Sequence, residues 1–514
     1  LIAKIGRTNP GPNYCSVDHA SRHYRDVMVE MAETSNEKLI TRTAVSVMAL
    51  FLLVSWIPAF GMPLGDSHEG RVLGQFALHM RNFWSMGVID SSFGASWEPF
   101  SEIPYTHHPP ILTFLHVIVS SLIGEGLKQI KLISYVAGIL TLPALFSMGK
   151  NLGINSKAVT ISILILITTP WWWIYGRLGL GLLPNVLMIG TILAAATKPT
   201  KRKILLASLA TFFAVAASWH GVFLFPFLWF QTWRRRKFDQ LTFSLIGASL
   251  LAGLVILIWV SQGGGLSELG EHIGERVERD WTWSQFIQRQ WDFAQTLLPL
   301  WYTILALPAL VIGLVDSRTR FLTNSLISMV LVFALVPSNG AWIHNYWNFP
   351  ILLTLFPGFA VISEWILGFI KDKIKLTSPK KIGSITLGGF SLLATVLIFA
   401  LQPVSLHESY FDETSDAGEL VDAIELSSGQ KIAWHLPQVP WPTWVSNKWN
   451  VPTVSLSNAE DLGTVPSEDI VLFRIDRMPD WLDEKIEFEV EERKGKYVTV
   501  QAHVMKKHVI GVTK

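Results

Sequence analysis

Two acids three residues apart, Asp66 and Glu69, open a polar stretch that runs from Gly65 to Pro110. At that spacing two side chains on a helix are neighbours, and a carboxylate held among cations is a good general base for a hydroxyl. The same stretch carries Arg71, Arg81, His68 and His79 and ends Tyr105-Thr106-His107-His108-Pro109-Pro110. Pro109 restricts His108 to extended geometry, so two imidazoles are presented rigidly, an arrangement suited to phosphate binding or metal ligation. Adjacent side chains of an extended segment point to opposite sides, which argues against one metal held by both. Arg177, His220 and His344 each stand beside the end of an apolar run. An arginine at membrane depth is costly unless it meets an anion, and its fork matches phosphate oxygens. Each group also has an ordinary alternative. The acids could be solvated caps or ion pairs, the His-Pro-Pro a stiff turn, and Arg177 a partner of lipid headgroups. By default the Trp171–Trp173 run beside Arg177 is an aromatic belt.

The elements that must position these residues are hydrocarbon-soluble. Half of the 514 residues are hydrophobic, only 16% are charged, and mean hydropathy is +0.36, against about 25% charged residues in soluble chains. A net charge of +2 with no basic stripe excludes nucleic acid as a partner. The lone cysteine, Cys15, excludes an internal disulfide and a cysteine-built zinc site. Judged against the roughly 20 apolar residues a spanning helix needs, residues 43–403 offer about eleven spans. These are 43–62, 132–148, 158–175, 178–196, 204–219, 222–233, 241–260, 294–315, 321–336, 349–369 and 382–401.

Orientation follows from the positive-inside rule. If Ile111–Ile123 does not cross, the connections holding Lys150 with Lys157, Lys198 to Lys203, Arg234 to Lys237, Arg318 with Arg320, and Lys371 to Lys381 all lie inside. That helix is therefore expected to be juxtamembrane or re-entrant on the outer face. The outer loop 63–131, the Arg177 and His220 turns, loop 262–291 and the connection 337–347 then share the extracytoplasmic side. Residues 1–42, polar and without the pattern of a secretory signal, are expected to form a cytoplasmic N-terminal segment. Residues 404–514 are expected to be a small extracytoplasmic α/β domain, with a helix over 416–424 and strands over 431–434, 470–475 and 497–504. Loop 262–291 reads as a glycine hinge followed by an amphipathic flap or interfacial helix.

The order of elements resembles the GT-C class of membrane glycosyltransferases, and more narrowly the protein O-mannosyltransferase and aminoarabinose transferase superfamily. The acidic opening Glu69–Ala77, the Arg81-Asn82 step and His108-Pro109-Pro110 before a juxtamembrane helix are similar to that family's motifs. So are the Tyr175-Gly176-Arg177 turn and the late His344-Asn345-Tyr346-Trp347. The departures are a glutamate where aspartate is usual, no acid from Leu178 to Asn185, and Trp219-His220-Gly221 in place of Thr-Lys-Gly.

The resemblance implies an α-helical polytopic membrane protein of GT-C type, seated in the cell (plasma) membrane. It would move a sugar, with inversion, from a polyprenyl-phosphate donor to a protein, glycan or lipid acceptor outside the cytoplasm. Glu69 or Asp66 would be the base. Arg81, His107, His108, Arg177, His220, His344 and Tyr346 would hold the donor phosphate and sugar. No cofactor follows from these residues, and the sequence supports no divalent metal site. The competing class is a polytopic transporter or flippase, but transporters bury their charges near the midplane, whereas here they collect at one face.

Overall fold

A computed structural model describes residues 68–178 (except 95, 97–98, 101–103, 125–126 and 168), 200–374 (except 237–238) and 414–506 (except 436–442, 445, 457–458, 476–480, 482–491 and 495–496), with positions 46, 56–57 and 60. The expected N-terminal segment lies outside the described residues, as do the spans 178–196 and 382–401, each but for at most its first residue, and nearly all of 43–62.

Helix α1 (His68–Met86) buries Leu73, Phe76, Ala77 and Met80, an i, i+3, i+4, i+7 stripe, against Leu112 and Val117 of α2 (Ile111–Ile123). Gly87, at φ +84°, ends α1 by donating its N–H to the Phe83 carbonyl. At about 1.5 Å per residue, 13 residues of α2 reach roughly 20 Å, short of the ~30 Å hydrocarbon core. Helix α3 (Leu127–Asn151) is long and apolar enough to cross.

Two expected spans are broken, each at a proline. The run 158–175 divides into α4 (Ser156–Ile167) and α5 (Pro170–Tyr175), because Pro170 has no N–H and the Thr169 side chain caps α5 by accepting from the Trp172 N–H. Trp171, Trp172 and Trp173 on α5 are buried in the main helical core, so they do not form an aromatic belt. The run 294–315 divides at Leu298-Pro299, where Leu298 is extended, as residues before proline tend to be. Helix α11 (Leu300–Val315) leaves α10 (Trp283–Leu297) at 116°.

Between these lie α6 (Lys201–Ala217), α7 (Trp219–Arg236), α8 (Gln240–Val260) and α9 (Gly265–Val277). Helices α12 (Arg320–Leu335), α13 (Ser338–Ile343) and α14 (Ile351–Ile374) complete the bundle. Among the described residues three helices are long and apolar enough to cross a membrane (Lys128–Asn151, Gln240–Val260 and Ile351–Phe369), or four if the bent pair is one span. The chain is accordingly a membrane protein. A side chain at Gly358 would overlap the Ala309 carbonyl oxygen, so α14 and α11 touch through their backbones, the small-residue packing that membranes favour. At the α11–α12 turn Arg318 pairs with Asp316 (2.9 Å) and Glu364 (2.8 Å).

Residues 414–506 form a five-stranded sheet, order β2-β1-β3-β5-β4, from β1 (Ile432–His435), β2 (Thr453–Leu456), β3 (Ile470–Arg474), β4 (Glu492–Lys494) and β5 (Tyr497–Gln501). Strands β2, β1 and β3 run parallel, and β5 is antiparallel to both β3 and β4. Helix α15 (Thr414–Ala423) packs Ala417, Leu420 and Val421 on one face, against Ile432, Trp434 and Leu472. Strands β2 and β4 were not expected. Both are short, four and three residues. The expected strand 497–504 stops at Gln501 and becomes α17 (Ala502–Lys506), the short α16 being Ala459–Thr464.

Candidate active site

The His-Pro-Pro loop lies between α1 and α2, and three separate elements close on it. The Thr106 N–H donates to Glu268 of α9 (3.2 Å), and the His107 carbonyl accepts from the Trp219 indole N–H of α7 (3.0 Å). The His107 ring stacks between Tyr105 (4.8 Å) and His272 of α9 (3.5 Å). Helix α9 can lie this close because Gly263 and Gly264 turn the chain at φ +48° and +81°. Gly265 then sits against Pro104, where a side chain would collide.

The far wall comes from the connection after α13. Trp347 stacks on Phe333 (4.5 Å) and donates its indole N–H to the Phe333 carbonyl (2.9 Å). His344 stacks on Tyr346 (5.1 Å), and Tyr346 lies 5.9 Å from Tyr175, whose hydroxyl donates to Asn345. His220 bonds the Trp347 carbonyl through Nε2 (3.3 Å), so that nitrogen carries the proton and Nδ1 accepts from Ser218 (3.2 Å). These groups line a narrow cleft whose walls include His107, His108, Tyr175, His220, Tyr346 and Trp347.

Of the residues singled out from the sequence, His107, His108, His220 and Tyr346 line this cleft, and His344 stacks on Tyr346. Arg177 is not in the lining. It is fully buried two residues beyond Tyr175, its guanidinium 4.5 Å from the Trp173 ring. Arg81 points to a different task. Its Nη1 donates to the carbonyls of Trp444 and Ser446 (2.8 Å to Ser446), and its guanidinium lies 5.7 Å from Trp449, fastening the C-terminal region to α1. Glu69 is in the first turn of α1, and Asp66 lies outside the described residues. His79 is a buried structural group held by Thr113 (3.1 Å) and the Ser96 carbonyl (3.1 Å).

Sequence reasoning missed Glu268, His272 and Arg276. They fall at i, i+4 and i+8 on α9, one helix face. That spacing, directly after Gly263–Gly265, was the available signal. Arg276 lies 5.9 Å over the Trp347 ring, its Nε is enclosed, and no hydrogen bond or ion pair engages its side chain among the described residues.

Electrostatics then separates the cations. Burial pushes the His108 pKa down to about 3, helped by the charges of His272, His220 and Arg276. Burial and the neighbouring His272 hold His107 well below the usual imidazole range. His272 is lowered to about 4 by burial and then by Arg276. At neutral pH these imidazoles are uncharged, each able to donate one hydrogen bond, and the nearby fixed positive charge is that of Arg276, outside the lining and over the Trp347 ring. Among the described residues no three His, Cys, Asp or Glu side chains gather to hold a metal ion.

No family profile matches the chain, and no curated protein matches it in sequence. Solved structures do. ArnT from Cupriavidus metallidurans bound to undecaprenyl phosphate superposes with a TM-score of 0.58 at 13% identity, covering 89% of this chain and 98% of that one. ArnT in the apo state gives 0.55 at 13% identity, covering 90% and 98%. The Archaeoglobus fulgidus oligosaccharyltransferase in complex with Zn and sulfate gives 0.44 at 13% identity, covering 84% and 68%. The chain thus has the fold of ArnT, the GT-C fold that the sequence resemblance implied.

Proposed function

We propose that the protein is an inverting glycosyltransferase acting at the extracytoplasmic face of the cell membrane on a polyprenyl-phosphate-linked sugar. The observation that carries the reading is the cleft itself. Residues more than two hundred positions apart, each suited to phosphate or sugar contact, line one cleft, and the Arg276 guanidinium, without a hydrogen bond or ion pair among the described residues, lies over the ring of Trp347 in its wall. A neighbour in fold, ArnT from Cupriavidus metallidurans, is bound to undecaprenyl phosphate.

In the reaction the acceptor hydroxyl oxygen attacks the anomeric carbon from the side opposite the phosphate. Its proton passes to a carboxylate, Glu69 or Asp66. The bond between the anomeric carbon and the phosphate oxygen breaks, and the electron pair leaves with the lipid monophosphate. Charge grows on that oxygen, so preorganised donors are the main aid to the step. Arg276 supplies the charge, His108 and Tyr346 supply hydrogen bonds, His220 holds the Trp347 carbonyl of the cleft wall, and Arg177 adds field from behind the Trp173 ring. A polyprenyl chain stays in the bilayer, which places its phosphate where the juxtamembrane α2 and the spans meet. The N-terminus would be cytoplasmic and residues 404–514 extracytoplasmic, where they would cover the site or select the acceptor.

The test is incubation of purified protein with radiolabelled polyprenyl-phosphate sugars and candidate acceptors. Release of lipid phosphate with label on the acceptor is expected. Movement of labelled lipid across vesicles without transfer would identify a flippase instead and overturn the assignment.

A further inference from the structure

Helix α10 has three distinct faces. At about 100° per residue, Trp283, Ile287 and Trp291 share one face, and these apolar side chains are 46%, 67% and 47% exposed. Phe286 and Leu297, both buried, share a second face with Gln290. Gln285, Gln288 and Asp292 form a third, polar face, where Gln288 donates to Asp292 (2.9 Å). The 116° bend at Leu298-Pro299 sets α10 across the direction of α11. The exposed apolar stripe continues into Leu300, Ile304 and Leu307, 74%, 62% and 67% exposed, the outer side of an apolar helix of membrane length when paired with α10.

Gln290 leaves the inner face of α10 and bridges two points of the cleft wall. Its amide N–H donates to the Ala341 carbonyl (2.7 Å), and its amide oxygen accepts from Asn348 (2.7 Å). Those two residues bracket His344, Tyr346 and Trp347. One side chain therefore clamps both ends of the segment that forms the far side of the cleft.

We infer that α10 lies in the lipid interface through Trp283, Ile287 and Trp291, and that Gln290 is a positioning residue through which the bilayer surface sets the His344–Trp347 wall. An aromatic and aliphatic stripe beside a polar face is the pattern of a helix resting in the headgroup region. Continuity with the lipid-facing side of α11 selects the bilayer over a protein partner. The inference rests on the membrane placement alone and does not require the transfer reaction.

Two measurements on the whole protein in nanodiscs test it, and neither depends on donor or acceptor. With Cys15→Ser as background, bimane is attached at Ile287→Cys or at Gln288→Cys, and lipids carrying a nitroxide near the headgroup are added. Strong quenching at 287 and weak quenching at 288 are expected. Equal quenching at the two sites would remove the interfacial placement. In the second, hydrogen exchange is followed over residues 341–349, where the amides of His344, Trp347 and Phe349 are bonded to nearby carbonyls. Gln290→Ala should speed their exchange up to about thirtyfold, from the loss of two hydrogen bonds of ~1 kcal/mol each, while leaving 320–335 unchanged. Gln290→Glu keeps the bond from Asn348 but not the donation to Ala341, so it should give a smaller increase of the same sign. If Gln290→Glu folds with exchange unaltered, or if both variants loosen 320–335 equally, Gln290 has no positioning role.

Discussion

The guanidinium of Arg276 is the most informative single group to remove. It stands 5.9 Å over Trp347 with no hydrogen-bond partner among the described residues, and its charge depresses the pKa of both His107 and His108. If it holds the lipid phosphate, Arg276→Ala removes a charge-assisted hydrogen bond of about 1.5–3 kcal/mol. A unit charge ~4 Å away at an effective dielectric of ~20 would contribute about 4 kcal/mol, and water entering the gap returns part of this. A net loss of about 2–3 kcal/mol corresponds to roughly 30–150-fold weaker binding. Arg276→Lys keeps the charge without the fork and should lose about tenfold or less. The assay is calorimetric titration of detergent-solubilised protein with undecaprenyl phosphate. Arg320→Ala serves as control, since that side chain bonds the Leu314 and Val315 carbonyls at the opposite end of the bundle (3.0 and 2.7 Å). An Arg276→Ala protein that binds within threefold of the parent would refute the phosphate role.

Further expectations follow from the same chemistry. Glu69→Gln and Asp66→Asn, assayed for sugar transfer, should differ sharply: the true base loses 10²–10⁴-fold, and two variants both within tenfold of the parent would leave no base in this segment. His108 is neutral in the free protein with a pKa of about 3, and a phosphate placed beside it raises that value, so binding takes up protons. Affinity for undecaprenyl phosphate should therefore rise as pH falls from 7 to 5, and His108→Gln should flatten the profile. His116 is buried against Phe76 (4.3 Å), and neither ring nitrogen has a partner among the described residues. Its folded pKa of about 3 lies below the unfolded value near 6.5. The unfolded chain binds the extra proton between those limits, so stability is full above pH 6.5 and falls as pH drops, by ~1.4 kcal/mol per unit. His116→Leu should remove this slope, seen as a thermal-unfolding advantage that widens between pH 7 and 5. Gly358→Ala should lower the melting temperature by several degrees because the new methyl meets the Ala309 backbone, whereas Gly368→Ala on the same helix, with open space around it, should not.

What the sequence determined by itself was what chain-local physics governs. Apolar runs mark helices that hydrocarbon can hold, Pro109-Pro110 marks the start of α2, and the composition change after Pro403 announces strands and helices of another kind. The breaks at Thr169-Pro170 and Leu298-Pro299 were also written locally, in prolines that summed hydropathy reads straight through. The site was different. That His107, His108, His220 and Tyr346 share a cleft follows from how α7, α9 and the turn after α13 pack on one loop, and no spacing along the chain encodes that packing. Arg81 has a guanidinium suited to phosphate, yet its carbonyl partners stand 363 and 365 positions away. Arg276, unremarkable in a charged helix, gained its standing from the Trp347 ring beneath it and the absence of a polar partner among the described residues. Tertiary structure decided these assignments because a side chain's electrostatic work depends on which groups surround it and how much water they exclude, and both are properties of the packed molecule.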